Sequence, residues 1–320
     1  MTTLTMRPFL GEADLAPICE LLNYCDAVDQ LDDNYAVADL RLEFADPRLD
    51  PARDLRLWED DDGRVIGFGQ TWIPQDGAIG DGFLYFRVHP GSRGSGLESE
   101  IIAWGSQRLR EAGRERGQPV QLRCSAREHD AYSRSILERC GMAAIRYFFR
   151  MDRSLHEPIE PAQLPEGFTL RHVANDADLE GWVDLFNQSF IDHWNHHPMT
   201  VEGHRHWLDR PGYKPERDLI AVAPDGTFAA FCLCEIDSEA NERNQCNEGW
   251  IDVLGTRRGY RKLGLGRAML LNGLRALKAA GLDTAKLNVD AANPTGALRL
   301  YESVGFRAVY TTIAYGKALS

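Results

Sequence analysis

The sequence predicts an α/β protein whose fold occurs twice in one chain. Three observations carry this. Short matches recur at a nearly constant offset: Thr5-Met6-Arg7 returns as Thr169-Leu170-Arg171, Ala13-Asp14-Leu15 as Ala177-Asp178-Leu179, and Gly141-Met142 as Gly305-Phe306, all at 164. They keep their order across a whole unit, as duplication requires and chance does not. Second, apolar runs with strand character alternate with helix-period runs in both halves. Third, a segment with three prolines and no periodicity, 154–166, separates the copies and reads as a linker. The expected domains are 1–153 and 167–320.

Each copy reads in the same order. A short strand (6–9; 168–172) leads through Ala-Asp-Leu into an amphipathic helix. Two strands (54–59 and 64–73; 219–222 and 228–236) close around Asp62-Gly63 and Asp225-Gly226, the turn chemistry of a hairpin. A central strand, a glycine turn with its helix, another strand (120–124; 285–289), a short helix and a final strand follow.

The 320 residues suffice for two domains, and 43% apolar content supports packed cores. A net charge of −12 and a pI near 5.3 argue against nucleic acid or an anionic membrane as partner, because both need a cationic face. The seven cysteines are scattered, with no Cys-x-x-Cys pair, so zinc and redox motifs find no support and reduced thiols are expected. The N-terminus lacks an apolar signal core, and no run of about 18 apolar residues occurs. A cytoplasmic protein with no membrane span is the expectation.

The stretch with the clearest chemistry is Arg261-Lys262-Leu263-Gly264-Leu265-Gly266, between an extended run (250–254) and a helical pattern. Such a turn presents unpaired N–H groups at the positive end of a helix dipole, where a pyrophosphate sits well. The triphosphate loop would need Gly-Lys-Ser/Thr, but Arg267-Ala268 follows Gly266. The dinucleotide fingerprint would need a third glycine. Some 27 residues after Gly266 comes a second motif, Asn293-Pro294-Thr295-Gly296-Ala297-Leu298-Arg299-Leu300-Tyr301-Glu302-Ser303-Val304-Gly305-Phe306.

In this order and at this distance, the two motifs resemble those of the GNAT acetyltransferases. The likeness is strong from about Glu248 to Phe306 and diffuse elsewhere. It implies two tandem GNAT folds, each a mixed sheet flanked by helices, and acetyl-coenzyme A as co-substrate. The implied reaction moves acetyl to the amine of a small molecule by direct attack. On this resemblance, the backbone of Arg261, Lys262, Leu263, Gly264, Leu265, Gly266 and Arg267 holds the pyrophosphate, with Arg261 and Arg267 adding charged contacts. Backbone N–H groups near Leu254, Gly255 and Thr256 polarise the thioester carbonyl. The family's proline two residues after Thr256 is absent, and Arg258 stands there. Asn293 either binds the pantetheine arm or caps the helix.

Tyr301, four residues before Gly305, lies where many members place the phenol that protonates the departing sulfur. The base is Asp252 or Glu248, either acting directly or through water. Strand alternation puts Glu248, Trp250, Asp252, Leu254 and Thr256 on one face. A carboxylate inside an apolar strand is costly unless paired or used, and the competing reading is a salt bridge to a neighbouring arginine. Five of the nine histidines lie between His193 and His206. The segment 190–198 there is expected to contact the acceptor. No acidic residue completes a metal site with these histidines, and none is assigned.

The first copy departs from the pattern. Glu98 stands at the second glycine, where a carboxylate competes with a pyrophosphate for the same amides. Leu137 replaces the tyrosine, and Leu84 replaces Asp252. The 1–153 half is therefore expected to bind acetyl-coenzyme A weakly or not at all. Two alternatives stand beside the main reading. One is acetylation of a sugar-linked cysteine amine, since the architecture resembles that of the mycothiol synthases. The other is a non-catalytic acyl-coenzyme A sensor or scaffold.

Overall fold

The computed structural model describes residues 4–31, 33–74, 80–174, 176–194, 196–209 and 212–319. They form two compact units, 1–147 with 312–320, and 148–311. The chain thus leaves the first unit midway along one strand and re-enters it for its last. The proline-bearing segment belongs to the second unit, where Ile159, Ala162 and Leu164 pack on the core.

The first unit opens with β1 (Thr5–Pro8), α1 (Glu12–Asp29), α2 (Val37–Phe44) and the one-turn α3 (Pro51–Asp54). Strands β2 (Leu55–Glu59), β3 (Val65–Trp72) and β4 (Gly80–Val88) follow. Helix α4 (Leu97–Arg116), β5 (Val120–Arg127), α5 (Ala131–Arg139) and β6 (Ala143–Ser154) complete it. Its sheet runs β1-β2-β3-β4-β5, antiparallel except for β4 beside β5, and residues 312–319 close it antiparallel to β5. One face packs under α4 and the other under α1 and α2.

The second unit repeats the plan. Its elements are β7 (Thr169–His172), α6 (Leu179–Phe190), α7 (Val201–Leu208), β8 (Asp218–Val222), β9 (Phe228–Glu235), α8 (Ser238–Asn244), β10 (Glu248–Thr256), α9 (Leu265–Ala279), β11 (Thr284–Asp290), α10 (Ala297–Ser303) and β12 (Arg307–Leu319). The order is β7-β8-β9-β10-β11, and residues 148–154 of β6 pair antiparallel with β11. Helices α9 and α10 cover one face, α6 and α7 the other.

Duplication extends to the polar joints. Arg7 grips Asp14 at 2.8 Å, and Arg171 grips Asp178 at 2.7 Å. The Asn23 side chain bonds both backbone groups of Tyr35, and Asn187 does the same to Met199. Each ties the first helix to the chain that follows it. Because a buried polar side chain must be satisfied, these pairs survive where apolar neighbours have drifted.

Helices α7 and α8 each open on a side-chain cap. Helix α7 starts at Thr200, whose hydroxyl accepts from Gly203 N at 3.0 Å. Helix α8 starts at Asp237, whose carboxylate accepts from Ala240 N at 2.8 Å. Side-chain caps of this kind satisfy the otherwise orphaned first-turn donors.

Candidate active site

Strand β10 pairs with β11 only over Glu248–Trp250 and Thr284–Lys286. Past this point the two strands share no ladder, although β10 runs to Thr256 and β11 to Asp290. The parallel pair therefore opens at its carboxyl end into a notch, the position where open α/β sheets receive ligands. Opposite, β10 pairs with β9 through a bulge between Ile251 and Val253.

The bulge corrects the expected alternation. Gly249 and Ile251 face α9, as their contacts with Leu277 and Gly273 show. Strict alternation would keep Val253 and Gly255 there. Instead Val253 packs with the α6 cluster, and a Cβ on Gly255 would strike Phe231 at 2.3 Å and Ser189 at 2.9 Å. Leu254 and Thr256 consequently turn to the α9 side, opposite Glu248 and Trp250. One inserted residue reverses every side chain beyond it. Asp252 sits at the bulge and is exposed. In the first unit, β4 pairs with β3 in unbroken register, and Leu84 at the corresponding place is buried.

The glycine turn enters α9 at Gly264, whose φ of 86° lies in the left-handed region. Lys262 also has a positive φ, 65°, a conformation that costs a non-glycine residue roughly 1 kcal/mol. Among the described residues, nothing accepts a hydrogen bond from the backbone N–H of any residue from Lys262 to Arg267. Six consecutive donors at a helix start form an anion nest. Gly266 approaches Thr256 Oγ1 and Leu300, and a Cβ there would sit 3.5 and 3.6 Å from them.

The first unit shows what such a turn attracts. Glu98, at the place of Gly266, is 2% exposed. Its Oε1 accepts from Gly94 N at 3.3 Å and also receives the Tyr132 hydroxyl. A side-chain carboxylate there occupies an amide of the turn. The second unit, with glycine, leaves its amides to a ligand, so its donor set fits a diphosphate.

The arginines of the turn are paired with other groups of the protein. Arg261 donates to Asp192 Oδ2 at 2.6 Å, Ser189 O at 2.8 Å and Thr256 O at 3.3 Å. Three of its five donors are thereby taken, and it clamps the end of α6 to the turn. Arg258 pairs with the same Asp192, and these two guanidinium groups hold the Asp192 carboxyl below its usual range. In the first unit Arg93 pairs with Asp29 at 2.6 Å. Asp29 and Asp192 stand 163 residues apart, a repeat signal that would have revealed this clamp. Arg267 pairs with Glu160 at 2.8 Å and donates to Ser303 Oγ at 2.7 Å. Asn293 makes an Asx turn, accepting from Thr295 N at 2.8 Å, while Gly296 is the N-cap of α10.

Tyr301 is 8% exposed, edge-on to Phe306 at 6.0 Å, within the cluster that includes Cys232 and Leu265. Burial raises its phenol well above the usual range, so the group stays protonated. No described residue hydrogen-bonds its hydroxyl.

Glu248 is ion-paired with Lys286, a cation rather than the expected arginine. Lys286 lies opposite Asp152 in the β6–β11 ladder. Burial raises the Asp152 carboxyl, and Arg150 and Lys286 oppose that shift. The Arg150 guanidinium lies 3.8 Å from the centre of the Trp250 ring, a cation–π contact. Sequence reasoning missed this group because Arg150 comes from a strand begun in the first unit.

In the segment 190–198, Trp194 meets Phe148 at 5.8 Å, and Asn195 lies outside the described residues. His204 is a core residue. It stacks on Trp182 at 3.9 Å, is 1% exposed, and burial lowers its imidazole to about 4.

Comparisons with known proteins agree with this geometry. The profile of the acetyltransferase (GNAT) family matches residues 179–306. The chain is 33% identical over 264 residues to a mycothiol acetyltransferase of Thermobispora bispora, covering 82% of this chain and 83% of that one. It is 31% identical over 316 residues to a mycothiol acetyltransferase of Streptomyces scabiei, covering 97% and 93%. Among solved structures, a GCN5-related N-acetyltransferase from Sphaerobacter thermophilus shares the fold at a TM-score of 0.74 and 23% identity, over 99% of this chain and 96% of that one. A tandem GNAT protein from the clavulanic acid biosynthesis pathway does so at 0.74 and 15%, over 99% of each. No helix among the described residues is long and apolar enough to cross a membrane. The chain belongs to the GNAT acetyltransferase family as a tandem member, an N-acetyltransferase with acetyl-coenzyme A as co-substrate.

Proposed function

We propose that the second unit carries catalysis and transfers acetyl directly to the amine of a small molecule. The observation that carries this reading is the run of six unshared N–H donors from Lys262 to Arg267 beside the β10–β11 notch. These donors bind the diphosphate, and the notch admits the pantetheine arm. The amides of Leu254 and Thr256 line it and polarise the thioester carbonyl, whereas the Gly255 amide, opposite Phe231, is turned to β9. The amine nitrogen bonds to the carbonyl carbon as the carbon–sulfur bond breaks. Asp252, exposed at the bulge, takes the ammonium proton, directly or through water, and Glu248 is the second candidate. Its ion pair with Lys286 suits it better to holding the acceptor. Tyr301 gives its proton to the departing sulfur and recovers one through solvent as the acetylated nitrogen sheds its second proton.

The relatives named mycothiol acetyltransferase favour a narrower acceptor, a sugar-linked cysteine amine. Two cations, Arg150 and Lys286, and the Trp250 ring supply polar and stacking contacts for such a conjugate. In the first unit, the Glu98 plug supports loss of cofactor binding.

Tyr301→Phe tests the enzyme reading against a scaffold that merely binds acyl-coenzyme A. Turnover on a cysteinyl aminosugar, followed by product mass because this acceptor carries its own thiol, should fall at least about tenfold with cofactor affinity unchanged. Undiminished turnover would remove Tyr301 from the mechanism.

A further inference from the structure

A pocket of about 290 Å³ lies wholly within the first unit. Its walls are Tyr35, Trp72, Phe83 and Tyr85, with Glu43 and Gln70 as polar groups. Trp72 and Phe83 meet at 5.4 Å and 45°. The hydroxyls of Tyr35 and Tyr85 are 2.7 Å apart. Glu43, on α2, accepts from Gln70 Nε2 at 2.7 Å through Oε1, and no described residue donates to its Oε2. The carboxylate stands exposed at the rim of an aromatic box, its Oε2 bonded to no described protein donor.

The nearby cations are committed elsewhere. Arg48 pairs with Asp46 at 2.6 Å while lying 5.7 Å from the Trp72 ring centre. Arg87 pairs with Asp33 at 3.1 Å while lying 4.5 Å from the Tyr85 ring centre. Both show that these ring faces attract cations, yet neither bonds Glu43. Although the Glu43 side chain is exposed, the protein packed around it, together with Asp39 and Asp46, raises its carboxyl. A positive ligand would relieve that repulsion.

Among the described residues of the second unit, an aromatic stack stands at the corresponding place. An offset of 164 carries Leu40, on the pocket wall, to His204. There His204 stacks on Trp182, with Trp207 edge-on at 6.0 Å. The volume lies at the lower end for small-molecule sites, enough for one ring and a short arm. We propose that the first unit binds a small organic ammonium ion here, its charge on Glu43 and its apolar body against the four rings. With the cofactor turn of this unit closed by Glu98, the ligand is held without being acetylated.

Calorimetric titration of the full chain with benzylammonium, benzyl alcohol and benzoate tests this. Benzylammonium should bind saturably at millimolar concentration or below, the alcohol at least about tenfold more weakly, and benzoate not at all. Glu43→Gln and Trp72→Leu should each weaken benzylammonium at least tenfold. Asp252→Asn, in the other unit, should leave this binding intact and so separates it from the acceptor site. Absence of saturable binding, equal affinity for the three probes, insensitivity to both first-unit variants in folded protein, or loss in Asp252→Asn would overturn the proposal.

Discussion

Arg261 Nη1 and Asp192 Oδ2 stand 2.6 Å apart, joining the cofactor turn to the residues just past α6. The same guanidinium reaches Ser189 O at 2.8 Å. The clamp fixes where the segment 190–198 begins, the stretch proposed to contact the acceptor. It is a positioning device, since its donors point into protein.

Asp192→Asn should therefore raise the acceptor KM several-fold while kcat and the melting temperature change little, because a partly exposed ion pair adds little stability. Steady-state kinetics with each substrate varied in turn checks this. An effect confined to the acetyl-coenzyme A KM would show that the clamp serves the cofactor instead.

Lys262 tests whether the turn acts through backbone or side chain. Its φ of 65° is strained, so Lys262→Gly should relieve roughly 1 kcal/mol of strain and give back about 0.5–1 kcal/mol through a freer unfolded chain, leaving stability within about 0.5 kcal/mol of wild type. Cofactor affinity should fall no more than a few-fold, because the amides remain. A large loss would move the phosphate contact onto the ammonium group.

Asp218 predicts a pH dependence. It is fully buried, and burial raises its carboxyl to about 7 despite hydrogen bonds from Trp182 at 3.2 Å and Tyr213 at 3.4 Å. In the unfolded chain this group titrates near 3.8. Between these values the native state holds a proton that the unfolded state lacks, so its stabilising contribution is full below 3.8 and is lost as pH rises through 7. Asp218→Asn escapes that loss. Its melting temperature should exceed wild type at pH 8, by a free-energy gain with a ceiling of ~4 kcal/mol, and match it near pH 4. A difference independent of pH would show that Asp218 is ionised in the fold.

Much of this architecture was legible because its signals are local. The hairpins around Asp62-Gly63 and Asp225-Gly226, the Gly264 turn, and Glu98 in place of a glycine each state their geometry within a few residues. What escaped depends on neighbours distant in sequence. The β10 bulge is set by pairing with β9 and by Gly255 against Phe231 and Ser189, so alternation counted along β10 misassigned Leu254 and Thr256. Arg150 reaches Trp250 across 100 positions, and no local pattern announces it. The charge of Arg261 is visible in the sequence, whereas its ion-pair partner Asp192 lies 69 residues earlier.

Gly266→Glu tests the central claim most directly, because it writes into the second unit the residue that closes the first. Position 266 has ordinary backbone geometry and contacts no closer than 3.5 Å, so the fold should persist. Calorimetric titration of wild type should give one acetyl-coenzyme A per chain, and the variant should bind at least about a hundredfold more weakly, with unchanged melting temperature. Wild-type affinity in folded Gly266→Glu protein would contradict the account.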